Sequence, residues 1–196
     1  PLLLSSAASD VYKRQVFVSW SLNPQVFIDH EEHGTASLDQ RLSCAKSLSD
    51  KGVLVGFHFH PIVYYEGYED DYKNIVNKVM SMFEPHQIAM ISMGTLTFIK
   101  PAINKLRSAG LKSKVLQIPM VDAVGKSSYT KEVKAEIFSN VYNEFRAWHN
   151  DLFFYLCMEE SSIWESVFGD FYKSNVDFET ALFESVSSKM KPLEIA

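Results

Sequence analysis

Two rhythms of apolar residues alternate along this chain. Val16–Leu22 is short, rich in β-branched and aromatic residues, and stops at Asn23-Pro24, which predicts a strand followed by a turn. Pro24 suits the first position of a helix reaching about His30. Ser37–Lys51 then changes to helical spacing. Ser37 can cap with Gln40 three residues on, Leu38, Leu42, Ala45 and Leu48 form one stripe, and Gly52 ends it. Val53–Phe59 is continuously apolar, as parallel strands buried on both faces are.

The same alternation fills the second half. Asp70–Phe83 places Tyr72, Ile75, Val76, Val79 and Phe83 at helical spacing, and Ile88–Met93 predicts a strand closed by Gly94. Pro101–Ser108 predicts a helix, Val115–Pro119 a short strand or extended segment, and Lys131–His149 the longest helix. Leu152–Cys157 predicts a last strand, Ser161–Phe168 a short helix, and Phe178–Met190 one more. Strands alternating with helices indicate an α/β protein with a parallel sheet. About four such strands make half of an eight-stranded barrel or a small open sheet.

Composition narrows the class. With 46% hydrophobic and 13% aromatic residues in 196, the chain can bury a sizeable core and reads as one domain or part of a larger one. A formal charge of -5 argues against a broadly basic, nonspecific nucleic-acid surface, while leaving room for a local basic groove. Two cysteines, Cys44 and Cys157, cannot build a disulfide framework or a cluster-binding trio. No apolar run reaches membrane-spanning length and no signal peptide is visible, so a soluble, cytoplasmic protein is expected. The chain begins at Pro1, and Pro1–Gln15 (PLLLSSAASDVYKRQ) resembles translated sequencing-adaptor readthrough, so residues 1–15 are set aside as a non-native leader. The expected division is 16–169 for the barrel portion and 170–196 for a helical tail.

Candidate chemistry gathers where strands end, because ligands of parallel sheets bind outside the carboxyl ends of strands. Gly52–Tyr68 passes from an apolar run into histidines, a proline, tyrosines and a glutamate. His58 and His60 lie two apart, so they share one strand face while Phe57 and Phe59 share the other. Such a pair can be hydrogen-bonded inside a barrel mouth, contact a ligand or cofactor, or ligate a metal. Tyr64, Tyr65 and Glu66 can line a substrate mouth or pack as a loop over it. Ser21 and Asn23 can hydrogen-bond a ligand or serve a turn, and Gly94 permits close backbone approach. Trp20 reads as core, Cys44 and Cys157 as packed thiols, Glu31, Glu32 and His33 as a solvated helix end, and Glu159 and Glu160 as carboxylates opening a helix.

Several blocks then carry a family resemblance: Val18-Ser-Trp-Ser-Leu-Asn-Pro24, Glu32-His-Gly-Thr-Ala-Ser-Leu38 with Arg41, Val55-Gly-Phe-His-Phe-His-Pro61, Tyr64-Tyr-Glu-Gly67 with Tyr72, Ile91-Ser-Met-Gly-Thr-Leu96, and Leu156-Cys-Met-Glu159 with Trp164. In this order, over roughly Val16 to Gly169, they resemble the spore photoproduct lyase-like branch of the radical S-adenosylmethionine (radical SAM) proteins. The resemblance implies the C-terminal part of a partial TIM-like radical SAM barrel. It implies S-adenosylmethionine and a 4Fe-4S cluster as cofactors, and DNA or another nucleic acid as substrate. It suggests cofactor contact for Ser19, Ser21, Asn23, His58, His60 and Gly94, and substrate contact for Tyr64, Tyr65, Glu66 and Lys126.

The chain also departs from the family. Relatives tend to carry aspartate where His60 stands, arginine where Thr97 stands, and Lys-Met-Arg-Tyr where this chain reads Lys126-Ser-Ser-Tyr129. The family's Cys-x3-Cys-x2-Cys cluster loop is not found here, so the ligands are expected from a missing N-terminal half and this portion alone is expected to be inactive. The lyase uses a cysteine as hydrogen donor, but in an earlier part of the fold, so that role does not pass to Cys157. Two other readings stand beside this one: a metal-dependent hydrolase built on His58 and His60, and a binding domain without catalysis.

Overall fold

The computed structural model describes residues 16–110, 120–123 and 126–190. The leader Pro1–Gln15 and the segment Val115–Pro119 lie outside the described residues. Four parallel strands, β1 (Val18–Ser21), β2 (Val55–Ile62), β3 (Ile88–Thr95) and the short Phe154–Leu156 strand near the C-terminus, form one sheet in that order. Each connection carries at least one helix, the geometry that a parallel pairing requires.

Helices α1 (Gln25–Glu31) and α2 (Leu38–Ser49) join β1 to β2, and α3 (Tyr68–Met82) joins β2 to β3. The anticipated cap of α2 is present: Ser37 Oγ accepts from the Gln40 N–H and Gln40 Oε1 accepts from the Ser37 N–H. Helix α3 starts after Gly67 at φ 87°, a conformation glycine adopts without a Cβ penalty. Its Tyr72, Ile75, Val76 and Val79 are buried, and Glu69, Asp70 and Asp71 sit in its first turn, where carboxylates suit the helix dipole.

β2 and β3 form the centre of the sheet. Phe57, Phe59, Ile91 and Met93 are fully buried on the helix-covered face, each such side chain contributing roughly 1.5–3 kcal/mol on burial. β2 is longer than its apolar run suggests, continuing through His60 and Pro61 to Ile62. The register with β3 shifts between Phe59 and Ile62, and that irregularity accommodates a residue with no N–H to give the ladder. Gly94 likewise lies inside β3 rather than closing it.

A second, antiparallel sheet was not legible in the sequence. β4 (Thr97–Ile99), β5 (Val121–Ala123) and β6 (Lys126–Ser128) pair in the order β4-β6-β5 beyond the carboxyl end of β3. Helix α4 (Lys100–Ser108) follows β4. The long predicted helix is α5 (Lys131–Glu144), capped by Thr130 and ending in a 3-10 turn over Arg146–Trp148 before β7 (Phe154–Leu156). Helices α6 (Ser161–Phe168) and α7 (Asn175–Lys189) complete the described chain.

Helix α7 packs under the amino ends of the strands. Val186 joins Ala89, Met90 and Phe153, with Phe17, Leu54, Phe178 and Leu182 around them. The Lys189 ammonium donates to the Ile88 carbonyl at 2.7 Å, and burial lowers its pKa to about 8. No described helix is long and apolar enough to cross a membrane.

Candidate functional site

Alternation along each strand sends every second side chain to the face opposite the helices. Register then aligns these residues across the sheet: Ser21 pairs with His58, His58 with Ser92, and Ser92 with Tyr155. Ser19, His60 and Gly94 stand two residues along on the same face. One strip of hydroxyls and imidazoles therefore crosses all four strands.

The strip is hydrogen-bonded within itself. His58 Nε2 lies 2.9 Å from Ser19 Oγ, and His60 Nε2 lies 2.8 Å from Ser92 Oγ. The two imidazoles meet edge to face at 5.3 Å. Burial lowers the His60 pKa to about 4, helped by the neighbouring His58 and opposed by a hydrogen bond to the Met93 backbone. Burial also lowers that of His58. Both rings are neutral at pH 7, so each offers one donor and one acceptor nitrogen. A Cβ at position 94 would lie 3.2 Å from the His60 ring, so glycine gives that imidazole its place.

Asn23 is turned away from this strip. It is completely buried, donating to Glu32 Oε1 at 2.6 Å, with Tyr72 Oη 3.4 Å from its own carbonyl oxygen. Glu32 in turn pairs with Arg41 at 2.5 Å, and Arg41 donates to the carbonyls of Ser21 and Ala36. Glu32 is thus no solvated helix end: it anchors a buried bracket beneath the end of β1. Four residues from three resemblance blocks, Asn23, Glu32, Arg41 and Tyr72, meet in this bracket.

The strip opens into a recess of about 1010 Å³ between the parallel sheet, the antiparallel sheet and α5. His60, Gly94, Lys126, Tyr129, Cys157 and Glu159 are among its lining residues. Of the sequence candidates, His60, Gly94 and Lys126 therefore share one cavity. Ser19, Ser21 and His58 belong to the strip but not to the cavity lining.

Tyr64, Tyr65 and Glu66 are outside that lining, and Tyr64 stands behind Tyr129 instead. The Tyr64 N–H donates to the Tyr129 hydroxyl at 3.0 Å, and the Tyr64 ring packs 5.1 Å from Tyr68. The Tyr65 hydroxyl donates to Asp71 at 2.7 Å, and burial together with that carboxylate raises its pKa well above the usual phenol range. Glu66 is exposed. Tyr129 reaches the cavity, as Phe98 does, and burial raises the Tyr129 pKa to about 12.

Glu159 also departs from the sequence expectation. It pairs with Lys134 at 2.8 Å, accepts from Thr95 Oγ1, and only 5% of its side chain is exposed. Glu160 does precede α6, and it pairs with Lys131 at 2.5 Å. Cys157 follows β7, its N–H bonded to the Met93 carbonyl, and burial and Glu159 push its thiol pKa up. Cys44, expected to pack, is exposed on α2. Thr97 and Ser128, expected from the resemblance to depart from the family, pair with each other: Thr97 Oγ1 lies 3.1 Å from Ser128 Oγ, beside Ser127.

Cofactor chemistry can be tested against these residues. Hydroxyls and neutral imidazoles on an accessible sheet face suit the ribose, amino and carboxylate groups of S-adenosylmethionine. A 4Fe-4S cluster does not fit: it needs thiolates, and Cys44 on α2 and Cys157 after β7 are the chain's two. Among the described residues, no group of three or more His, Cys, Asp or Glu could hold a metal ion.

Comparison with known proteins fixes the lineage. A family model described as spore photoproduct lyase matches residues 7–123. A spore photoproduct lyase from a Geobacillus species is 28% identical over 98 residues, covering 49% of this chain and 29% of that protein. A solved spore photoproduct lyase complexed with dinucleoside spore photoproduct superposes with a TM-score of 0.59 at 22% identity, covering 72% of this chain and 44% of that one. A variant with bound AdoMet and the same dinucleoside gives 0.58 at 21% identity, over 72% and 44%. These structures establish the likeness of fold, and the chain spans less than half the length of the relatives it matches. The sequence match covers more than half of the chain and the parallel half-barrel agrees with it: the chain belongs to the spore photoproduct lyase family.

Proposed function

We propose that this chain is the C-terminal portion of a radical SAM enzyme similar to spore photoproduct lyase, contributing cofactor and substrate contacts to a nucleic-acid repair reaction. The observation that carries this reading is the hydrogen-bonded strip Ser19–His58 and His60–Ser92, which runs across the inner sheet face to a cavity large enough for a dinucleotide-sized ligand.

In this reading, Ser19, Ser21, His58 and His60 hold the polar groups of S-adenosylmethionine, and Gly94 lets the cofactor and His60 lie close to the sheet. S-adenosylmethionine supplies radical chemistry once reduced, and the reducing cluster is provided by sequence outside this chain. Asn23 acts through the Glu32–Arg41 bracket, fixing the end of β1 that presents Ser21. Lys126 and Tyr129 face the substrate, the lysine toward phosphate and the phenol toward a base or sugar. Tyr64 supports Tyr129 from behind.

Calorimetric titration of S-adenosylmethionine into the chain tests the reading without needing turnover. Saturable binding weakened about tenfold or more in His58→Ala is expected. Undiminished binding in both His58→Ala and His60→Ala would remove the strip from the cofactor site. Recovery of an upstream reading frame with no Cys-x3-Cys-x2-Cys would sink the radical reading and favour a binding domain without catalysis.

A further inference from the structure

A second recess opens on the other side of the Cys157–Glu159 turn. It encloses about 400 Å³, and Tyr155, Trp164, Phe171, Tyr172 and Phe178 line it. The rings meet edge to face: Tyr155–Phe178 5.4 Å, Tyr172–Phe178 5.5 Å and Trp164–Tyr172 5.8 Å.

An aromatic cluster of this size ordinarily closes on itself at crystal-like density. This one does not close. Phe171 and Tyr172 remain 39% and 38% exposed, and an open volume lies among the rings. Ser161, Lys173, Ser174 and Asn175 give it a polar rim. The aromatic faces are therefore presented to something flat with polar edges and a nearby anion.

The recess shares a wall with the larger cavity. Cys157, Met158 and Glu159 line both. The wall stands outward because Met158 is held at φ 61° with 85% of its surface exposed. Its two flanks are fixed, by the Cys157 N–H on the Met93 carbonyl and by Glu159 on Lys134 and Thr95. The short turn Cys157–Glu159 thus stands between the two recesses. The recess is built from residues 155–178, beyond the 7–123 that the family model matches.

We propose that this recess is a nucleobase subsite, which stacks the base flanking the nucleotides held in the larger cavity. The proposal rests on the nucleic-acid reading above. Stacking on aromatic faces accepts any base, so the subsite adds affinity without sequence preference. Lys173 at its rim lies where a flanking phosphate leaves the pocket. The occupant is a base of a single DNA strand, since a paired base has both faces covered by its neighbours.

The test uses ligand changes first, so that folding of a variant cannot confuse it. Trinucleotides carrying adenine on the 5′ or the 3′ side of two thymidines are titrated into the whole chain, beside counterparts abasic at the adenine position. Fluorescence of Trp164 is followed and assigned with Trp164→Phe. One adenine trinucleotide is expected to bind about tenfold more tightly than its abasic counterpart and to quench Trp164. Tyr172→Leu, which keeps an apolar side chain there, is expected to erase that difference while leaving abasic binding unchanged. Equal affinities for adenine and abasic ligands, with Trp164 unmoved, would overturn the subsite and leave the nucleic-acid reading intact. Binding of no trinucleotide at all would overturn that reading too. A dimer that buries Trp164 would assign the recess to self-association and overturn the subsite.

Discussion

The imidazole of His60 rests against the backbone of Gly94, so close that a single methyl group there would intrude on it. Gly94→Ala is expected to cost about 1–3 kcal/mol and to loosen the His60–Ser92 hydrogen bond. Urea denaturation gives the first quantity. The chemical shift of the His60 ring nitrogens gives the second. An unshifted His60 signal in a folded Gly94→Ala protein would show that the ring does not depend on the glycine.

The neutral state of that ring makes stability pH-dependent. The folded pKa of His60 is about 4 against 6.5 as the ordinary value, and that of His58 is also lowered. The unfolded chain therefore takes up these protons first as the pH falls. The histidine contribution to stability is fully present above pH 6.5 and is lost progressively toward pH 4. The melting temperature is expected to fall over this window, and to fall less in His60→Gln. Parallel profiles for the two proteins would contradict the assignment.

Lys134 and Glu159 form an ion pair almost wholly removed from water. Removing one partner strands a buried charge, so Lys134→Met is expected to cost about 3–5 kcal/mol. The double variant Lys134→Met with Glu159→Gln should recover part of that loss, because no lone charge remains. Denaturant unfolding of the set measures it. A double variant no more stable than Lys134→Met would mean that the pair is not the unit of stability.

The two thiols should differ in reactivity. Cys44 is exposed, whereas Cys157 is partly buried with its pKa pushed up by burial and Glu159. A disulfide reagent at pH 8 is expected to modify Cys44 first, with Cys157 following about tenfold more slowly, because partial burial hinders access and the raised pKa lowers its thiolate fraction. Cys44→Ser should leave only the slow phase. A fast phase persisting in that variant would locate the reactive thiol at Cys157.

Much of this architecture was legible because it is written locally. The Ser37–Gln40 cap, the stripe through Tyr72 and Val79, and the apolar runs of β2 and β3 each declare themselves within a few residues. The alternation of His58 and His60 with Phe57 and Phe59 gave the polar and buried faces correctly. What stayed hidden depends on partners distant in the chain. Thr97–Ile99 has β-favouring residues but is only three long, too short to declare itself, and becomes a strand by pairing with Lys126–Ser128. Asn23 beside a proline looks like a turn residue at a strand end, and only the arrival of Glu32 and Tyr72 draws its amide inward. Glu159, in a run of acidic residues, gives no sign that Lys134 will meet it.

Helix α7, lying under the amino ends of the strands and tied to Ile88 by Lys189, gives the half-barrel a floor. That floor closes the strip from below, so the His60 end of it opens toward Lys126, Tyr129 and the Cys157–Glu159 wall. On the proposed reading those residues act as a doorway, and small changes in them are expected to alter how fast ligands come and go before they alter what the strip can hold.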